Sequence, residues 1–209
     1  LRRKYWPTYA DKQEPEHYGR RLTDHVKDHS YQNTKPEFSP DGEYVIFYSD
    51  RKGLDGIYLM NAISGRIEKR LLQGSLSEKF ESIRSMKSSL TWAPDGKSVA
   101  FVAKSDGRDR LFRLSVPDGK IIDEIDMPVD FFWSPAISPD GNKVAVIGTV
   151  RGQTDIYVYD FDTKETDQVT DDMNDELDPA WFPHGRSIAY SRHPLVAVQP
   201  IFAPDSAGV

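Results

Sequence analysis

Residues 134–160 read SPAISPDGNKVAVIGTVRGQTDIYVYD and predict three short strands in succession: Pro135 to Ser138, Lys143 to Gly148 and Asp155 to Asp160. Pro139-Asp140-Gly141 supplies the first turn, because proline presets φ, aspartate bonds back to the chain and glycine accepts positive φ. Val144, Val146, Ile156 and Val158 give the flanking runs the β-branched character of strands, in stretches too short for helices.

The same turn returns along the chain as Pro40-Asp41-Gly42, Pro94-Asp95-Gly96 and Pro183-His184-Gly185. Its middle residues fall at 41, 95, 140 and 184, and a period of roughly 40 to 50 residues marks repeat architectures, propeller blades among them. PEFS, LTWA, PAIS and PAWF precede the four turns; YVIFYS, SVAFVAK, KVAVIGT and SIAYS follow them. Third strands read GIYLMN, RLFRLS and DIYVYD, and fourth strands are expected at Arg66 to Leu72, Lys120 to Asp126 and Glu165 to Thr170. Each unit is thus a four-stranded antiparallel meander with apolar residues on both faces. Such a sheet must stack on copies of itself, and radial stacking gives an all-β fold, a β-propeller.

Expected blades run near 34–73, 88–127, 133–170 and 178–209, the last one incomplete, after an irregular lead-in over 1–18 with aromatic anchors at Tyr5, Trp6 and Tyr9. Arg20 to Thr23 is expected as an outer strand, so the propeller spans 19–209, either closing on its own ends or forming part of a larger ring. Leu195 to Val198 is the candidate third strand of the last blade, and residues 202–205 faintly echo another unit. Gly74 to Ser88 is an insertion that lengthens the first interval, and its charges and serines predict an exposed loop or short helical turn.

Composition narrows function further. A net charge of -6 with no basic face argues against nucleic acid, and no apolar run is long enough for a membrane-spanning helix. The absence of cysteine removes disulfides and thiolate chemistry. No G-x-S-x-G, P-loop, G-x-G-x-x-G or H-E-x-x-H occurs, so no catalytic apparatus is recognisable.

The order R-x-L-T, P-x-[FW]-S-P-D-G, hydrophobic strand, Gly/Asp turn and D-I-Y-[LV] resembles the TolB-type, WD-like β-propeller repeat. Arg20 to Thr23, Pro36 to Gly42, Gly56 to Asn61, Pro135 to Gly141, Asp155 to Asp160 and Gln168 to Pro183 carry it. The lead-in YWPTY and YGRRLT, with FESI and SLTWAPDGKSVAFVAKSDGRDRLFRL, is also similar to the propeller segment of large exported bacterial proteins whose blades follow a metallopeptidase-like region. That resemblance implies a periplasmic or cell-surface location and a role in holding protein or peptide partners. His184 and Phe182 depart from the repeat, which expects Asp and Ser there.

These readings predict a non-catalytic binding module whose loop rim includes Asp24 to Ser30, Gly74 to Ser88 and Asp171 to Asp178. Its candidate binding residues are Asp24, His25, Asp28, His29, Lys79, Glu81 and Arg84. No cofactor is expected beyond Ca2+ at Asp171, Asp172, Asp175 and Asp178, because hard cations take oxygen ligands from such clusters. The alternatives are enzymatic: the accessory propeller of a prolyl-oligopeptidase-like peptidase, or a metal-dependent TolB-like lyase with His25, His29, His184 or His193 as ligands.

Overall fold

The computed structural model describes residues 21–53, 55–74, 79–83, 85 and 87–193. The lead-in with its aromatics, Arg20, Arg84, the candidate strand at 195–198 and the echo at 202–205 lie outside these residues. Three sheets each hold four antiparallel strands in sequence order: β1 (Asn33–Phe38), β2 (Tyr44–Ser49), β3 (Gly56–Asn61) and β4 (Ile67–Gln73); β5 (Thr91–Trp92), β6 (Ser98–Ser105), β7 (Arg108–Ser115) and β8 (Ile121–Ile125); β9 (Phe131–Ile137), β10 (Lys143–Val150), β11 (Gln153–Asp160) and β12 (Thr166–Gln168). A fourth sheet pairs β13 (Asp175–Trp181) with β14 (Ile188–His193). Among the described residues a short helix, α1 (His25–Asp28), precedes β1. No helix among the described residues is long and apolar enough to cross a membrane.

Strand periodicity sends alternate residues to opposite faces, and both faces are buried. Ile46, Tyr48, Ile57 and Leu59 of blade 1 meet Val99, Phe101, Phe112 and Leu114 of blade 2. The other parity of blade 2, Ala100, Val102 and Leu111, meets Val144, Val146 and Tyr157 of blade 3. Ala145, Ile147, Ile156 and Val158 of blade 3 then face Trp181 and Ile188 of blade 4. Each such aliphatic or aromatic side chain contributes about 1.5–3 kcal/mol on burial.

The proline turns repeat one hydrogen-bond scheme. Asp41 accepts from the N–H of Glu43 at 2.9 Å, Asp95 from Lys97 at 2.9 Å and Asp140 from Asn142 at 3.0 Å. Ser39 and Ser138 add hydroxyl bonds that hold the Asp41 and Asp140 carboxyls below the usual range. In the fourth turn His184 Nδ1 takes over, accepting from Arg186 N–H at 3.0 Å, while its ring stacks on Phe182. The two departures from the repeat are therefore accommodated by the same turn. Each turn also leans on the one before: Cβ positions built on Gly96, Gly141 and Gly185 fall 3.9, 3.3 and 3.8 Å from Pro40, Pro94 and Pro139. Successive proline turns thus stand in the same relation to one another along the four blades.

Two expectations need correction. Arg21 to Thr23 has irregular backbone rather than forming an outer strand. Leu22 nevertheless fills an outer-strand place: a Cβ on Gly65 would lie 3.2 Å from the Leu22 carbonyl, as one on the equivalent Gly119 would lie 2.4 Å from that of Leu71 in β4. The second concerns 74–88, which is not simply an exposed loop. Phe80 and Ile83 are buried between blades 1 and 2, and Phe80 meets Phe112 edge-on at 4.9 Å. An aromatic inserted among Phe101 and Phe112 gains more from burial than its polar neighbours lose by being drawn inward.

Candidate functional site

Because the proline turns lie together, the starts of β1, β5, β9 and β13 share the opposite rim. The segments 24–32, 79–88, 126–130 and 169–174 feed these inner strands there. Carboxylates from the segments cap the neighbouring hairpins: Glu81 accepts from Gly107 N–H at 2.7 Å and Asp130 from Arg151 N–H at 2.9 Å. In blade 1 the direction reverses, with Asp50 accepting from Tyr31 and Gln32 at 2.8 and 3.0 Å. The three predicted loop clusters therefore gather at one end.

Within the first cluster, Asp24 caps α1 by accepting from Val26 and Lys27, which holds its carboxyl low. Asp28 accepts from Asp24 N–H at 2.8 Å and lies 3.7 Å from the Arg51 guanidinium. Arg51, buried over the Phe47 and Tyr58 rings, pins this loop to blade 1. His25 Nδ1 bonds the Ser30 carbonyl at 2.9 Å, and His29 ends α1 in the left-handed region at φ 51°. In the second cluster Lys79 pairs with Glu124 at 2.8 Å and Glu81 with Lys104 at 2.9 Å. The Lys104 bond keeps the Glu81 carboxyl low. Arg84 lies outside the described residues.

The acidic run does not converge. Asp172 is held well below the usual carboxylate range by Arg192 and Asn174, Asp171 accepts from Gln153, Asp175 lies opposite His193 in the β13–β14 ladder, and Asp178 sits at the β13 bulge with φ 53°. Among the described residues no group of three His, Asp or Glu side chains could hold a metal. The four aspartates expected to hold Ca2+ are thus not brought together, and neither are His25, His29 and His184.

Sequence reading missed the apolar part of the rim. Tyr31 is 92% exposed and Met173 77%, and Val26 and Phe131 are also exposed on the same segments. Tyr31, isolated in the polar run DHSYQN, was the available signal. Phe131 borders a cavity of about 320 Å3 with Lys87, Asp109 and Trp133.

Comparison with known proteins agrees with this fold. No family model matches the sequence. The chain is 28% identical over 151 residues to the protein TolB homolog of Chlorobium luteolum, covering 71% of this chain and 31% of that protein. It is 25% identical over 162 residues to an uncharacterized peptidase, YuxL, of Bacillus subtilis, covering 76% and 22%. The solved structure of putative TolB from Agrobacterium tumefaciens superposes with a TM-score of 0.65 at 19% identity, over 78% of this chain and 56% of that one. The chain thus spans under a third of the length of these two curated relatives. Its blades form a TolB-like β-propeller.

Proposed function

We propose that the chain is a protein- or peptide-binding propeller module without catalysis of its own, working within a larger exported, periplasmic or surface-attached bacterial protein. The observation that carries this reading is the loop rim, where Val26, Tyr31, Phe131 and Met173 leave apolar surface in water among charged side chains tied into local pairs. Exposed aromatic and methionine side chains supported by a rigid frame are the usual anchors of protein interfaces. Likeness to TolB homologues supports a protein partner.

Selection of phage-displayed peptides on the 209-residue chain tests it. Selected peptides should bind at least about tenfold more weakly, roughly 1.4 kcal/mol, to a Tyr31→Ser/Phe131→Ser variant of unchanged melting temperature. Peptides indifferent to both substitutions would place binding elsewhere and overturn the proposal.

A second reading rests on the peptidase relative: the chain is the accessory propeller of a larger peptidase. The parent reading frame distinguishes the two, since a G-x-S-x-G in a following domain would favour the peptidase.

A further inference from the structure

Blade 3 carries a polar cavity of about 480 Å3 on its side toward blade 2, with Arg151, Gln153, Asp155, Tyr157, Gln168 and Asp171 in its wall. Asp155 is only 1% exposed. Its Oδ2 accepts from Gln153 Nε2 at 3.2 Å and Gln168 Nε2 at 3.0 Å, and its Oδ1 from the Thr170 hydroxyl at 3.3 Å. Gln153 Nε2 also donates to Asp171 Oδ1 at 3.2 Å. Every one of these donors is neutral, whereas a buried carboxylate ordinarily has a cation beside it. Both glutamines donate through nitrogen to carboxylates, and their carbonyl oxygens accept no bond among the described residues, so the two carboxylates are joined by two further acceptors.

The charge balance points the same way. Burial, with the charges of Asp155, Asp171 and Asp130 adding to it, pushes the Tyr157 phenol up. Among the described residues Arg151 is the one cation in the cavity wall, and its backbone N–H is already bound to Asp130.

We propose that this cavity binds a primary ammonium group, from either a lysine side chain or an aliphatic polyamine. An ammonium brings three donors and a positive charge to two carboxylates and two amide oxygens, and the Tyr157 ring gives its methylene stem an apolar wall. Arg151 opposes entry and sets a weak basal affinity. The site adjoins the rim through Asp171 but uses none of Val26, Tyr31, Phe131 and Met173, so the rim proposal can fail without affecting it.

Titration of the 15N-labelled 209-residue chain with n-butylammonium chloride tests the inference, with butan-1-ol as the neutral isostere. The ammonium should shift the Gln153 and Gln168 side-chain amide signals saturably, and the alcohol should not. Asp171→Asn, an exposed change, should weaken binding about fivefold or more, and Arg151→Ala should tighten it about threefold. Equal shifts with the alcohol, no saturable shift, or unchanged affinity in the Arg151→Ala chain would each overturn the site. The last criterion stands even if the asparagine variant does not fold. Tighter binding of Nα-acetyl-lysine methylamide than of spermidine would identify a lysine side chain as the source; the reverse order would identify a free polyamine.

Discussion

The indole N–H of Trp181 donates to the main-chain carbonyl of Ala136 at 2.8 Å, tying blade 4 to blade 3, as Trp92 ties blade 2 to Glu37 of blade 1 at 3.2 Å. Trp181→Phe keeps most of the ring and deletes the bond, so it should cost about 1 kcal/mol, whereas Trp181→Ala should cost about 3–5 kcal/mol. Urea unfolding midpoints of the two variants check both values. Equal losses would mean the indole nitrogen contributes nothing.

Gly119 approaches a neighbouring blade most closely. At φ +77°, with a Cβ only 2.4 Å from the Leu71 carbonyl, Gly119→Ala suffers both left-handed strain and a backbone clash. Gly107, at φ +80° with open space around it, suffers the strain alone. Gly107→Ala should cost about 1 kcal/mol and Gly119→Ala at least about 2 kcal/mol. Matching thermal melts for the two would refute the close approach.

Tyr48 is buried in the seam between blades 1 and 2, and its hydroxyl has no hydrogen-bond partner among the described residues. Burial, with Asp55 adding to it, pushes the phenol far up, so the group stays neutral. Tyr48→Phe removes an unpaired polar atom and should stabilise the chain by about 1 kcal/mol. A lower melting temperature would show that the hydroxyl has a partner after all.

Glu176 is fully buried on β13, and among the described residues neither carboxylate oxygen is bonded. Burial raises its pKa, Asp172 and Asp155 add to this, and Arg192 opposes it. In the folded state it therefore holds its proton to higher pH than in the unfolded chain. Its contribution to stability is full at low pH and is lost as pH climbs from the ordinary carboxylate value near 4.5 through the raised one. Glu176→Gln should match the parent at about pH 4 and exceed it by about 1–3 kcal/mol at neutral pH. A difference of constant size across that range would contradict the assignment.

How far the sequence carried depends on which residues repeat. The proline turns, the strands that follow them and the two-faced apolar pattern recur at fixed register, so blade order and inter-blade packing were readable from Val144, Ile156 and their counterparts. Features that occur once were not. Phe80 and Ile83 stand three apart among charges and serines, and only the contact of Phe80 with the stacked Phe101 and Phe112 rings shows that they turn inward. Leu22 carries the R-x-L-T pattern without strand pairing, because its contact is with a glycine turn rather than a ladder. The three rim segments gather at one end, but 175–178 belong to β13 and Phe80 and Ile83 turn inward, and charges such as Glu81 and Lys79 are caps and ion pairs, which polar sequence runs cannot distinguish from free binding groups. Asp155 reads as an ordinary strand residue until Gln153, Gln168 and Thr170 are brought around it.

The joints between blades are of two kinds. Trp92 and Trp181 reach a main-chain oxygen, which any residue at that position would offer, whereas Ile137 N–H bonds the Thr91 hydroxyl at 3.3 Å and needs that particular side chain. Tryptophan seams are therefore universal couplings, and the seam between blades 2 and 3 is a keyed one. Genetic exchange that swaps modules between related chains should leave blades 2 and 3 travelling as a pair, with viable crossovers falling on either side of them.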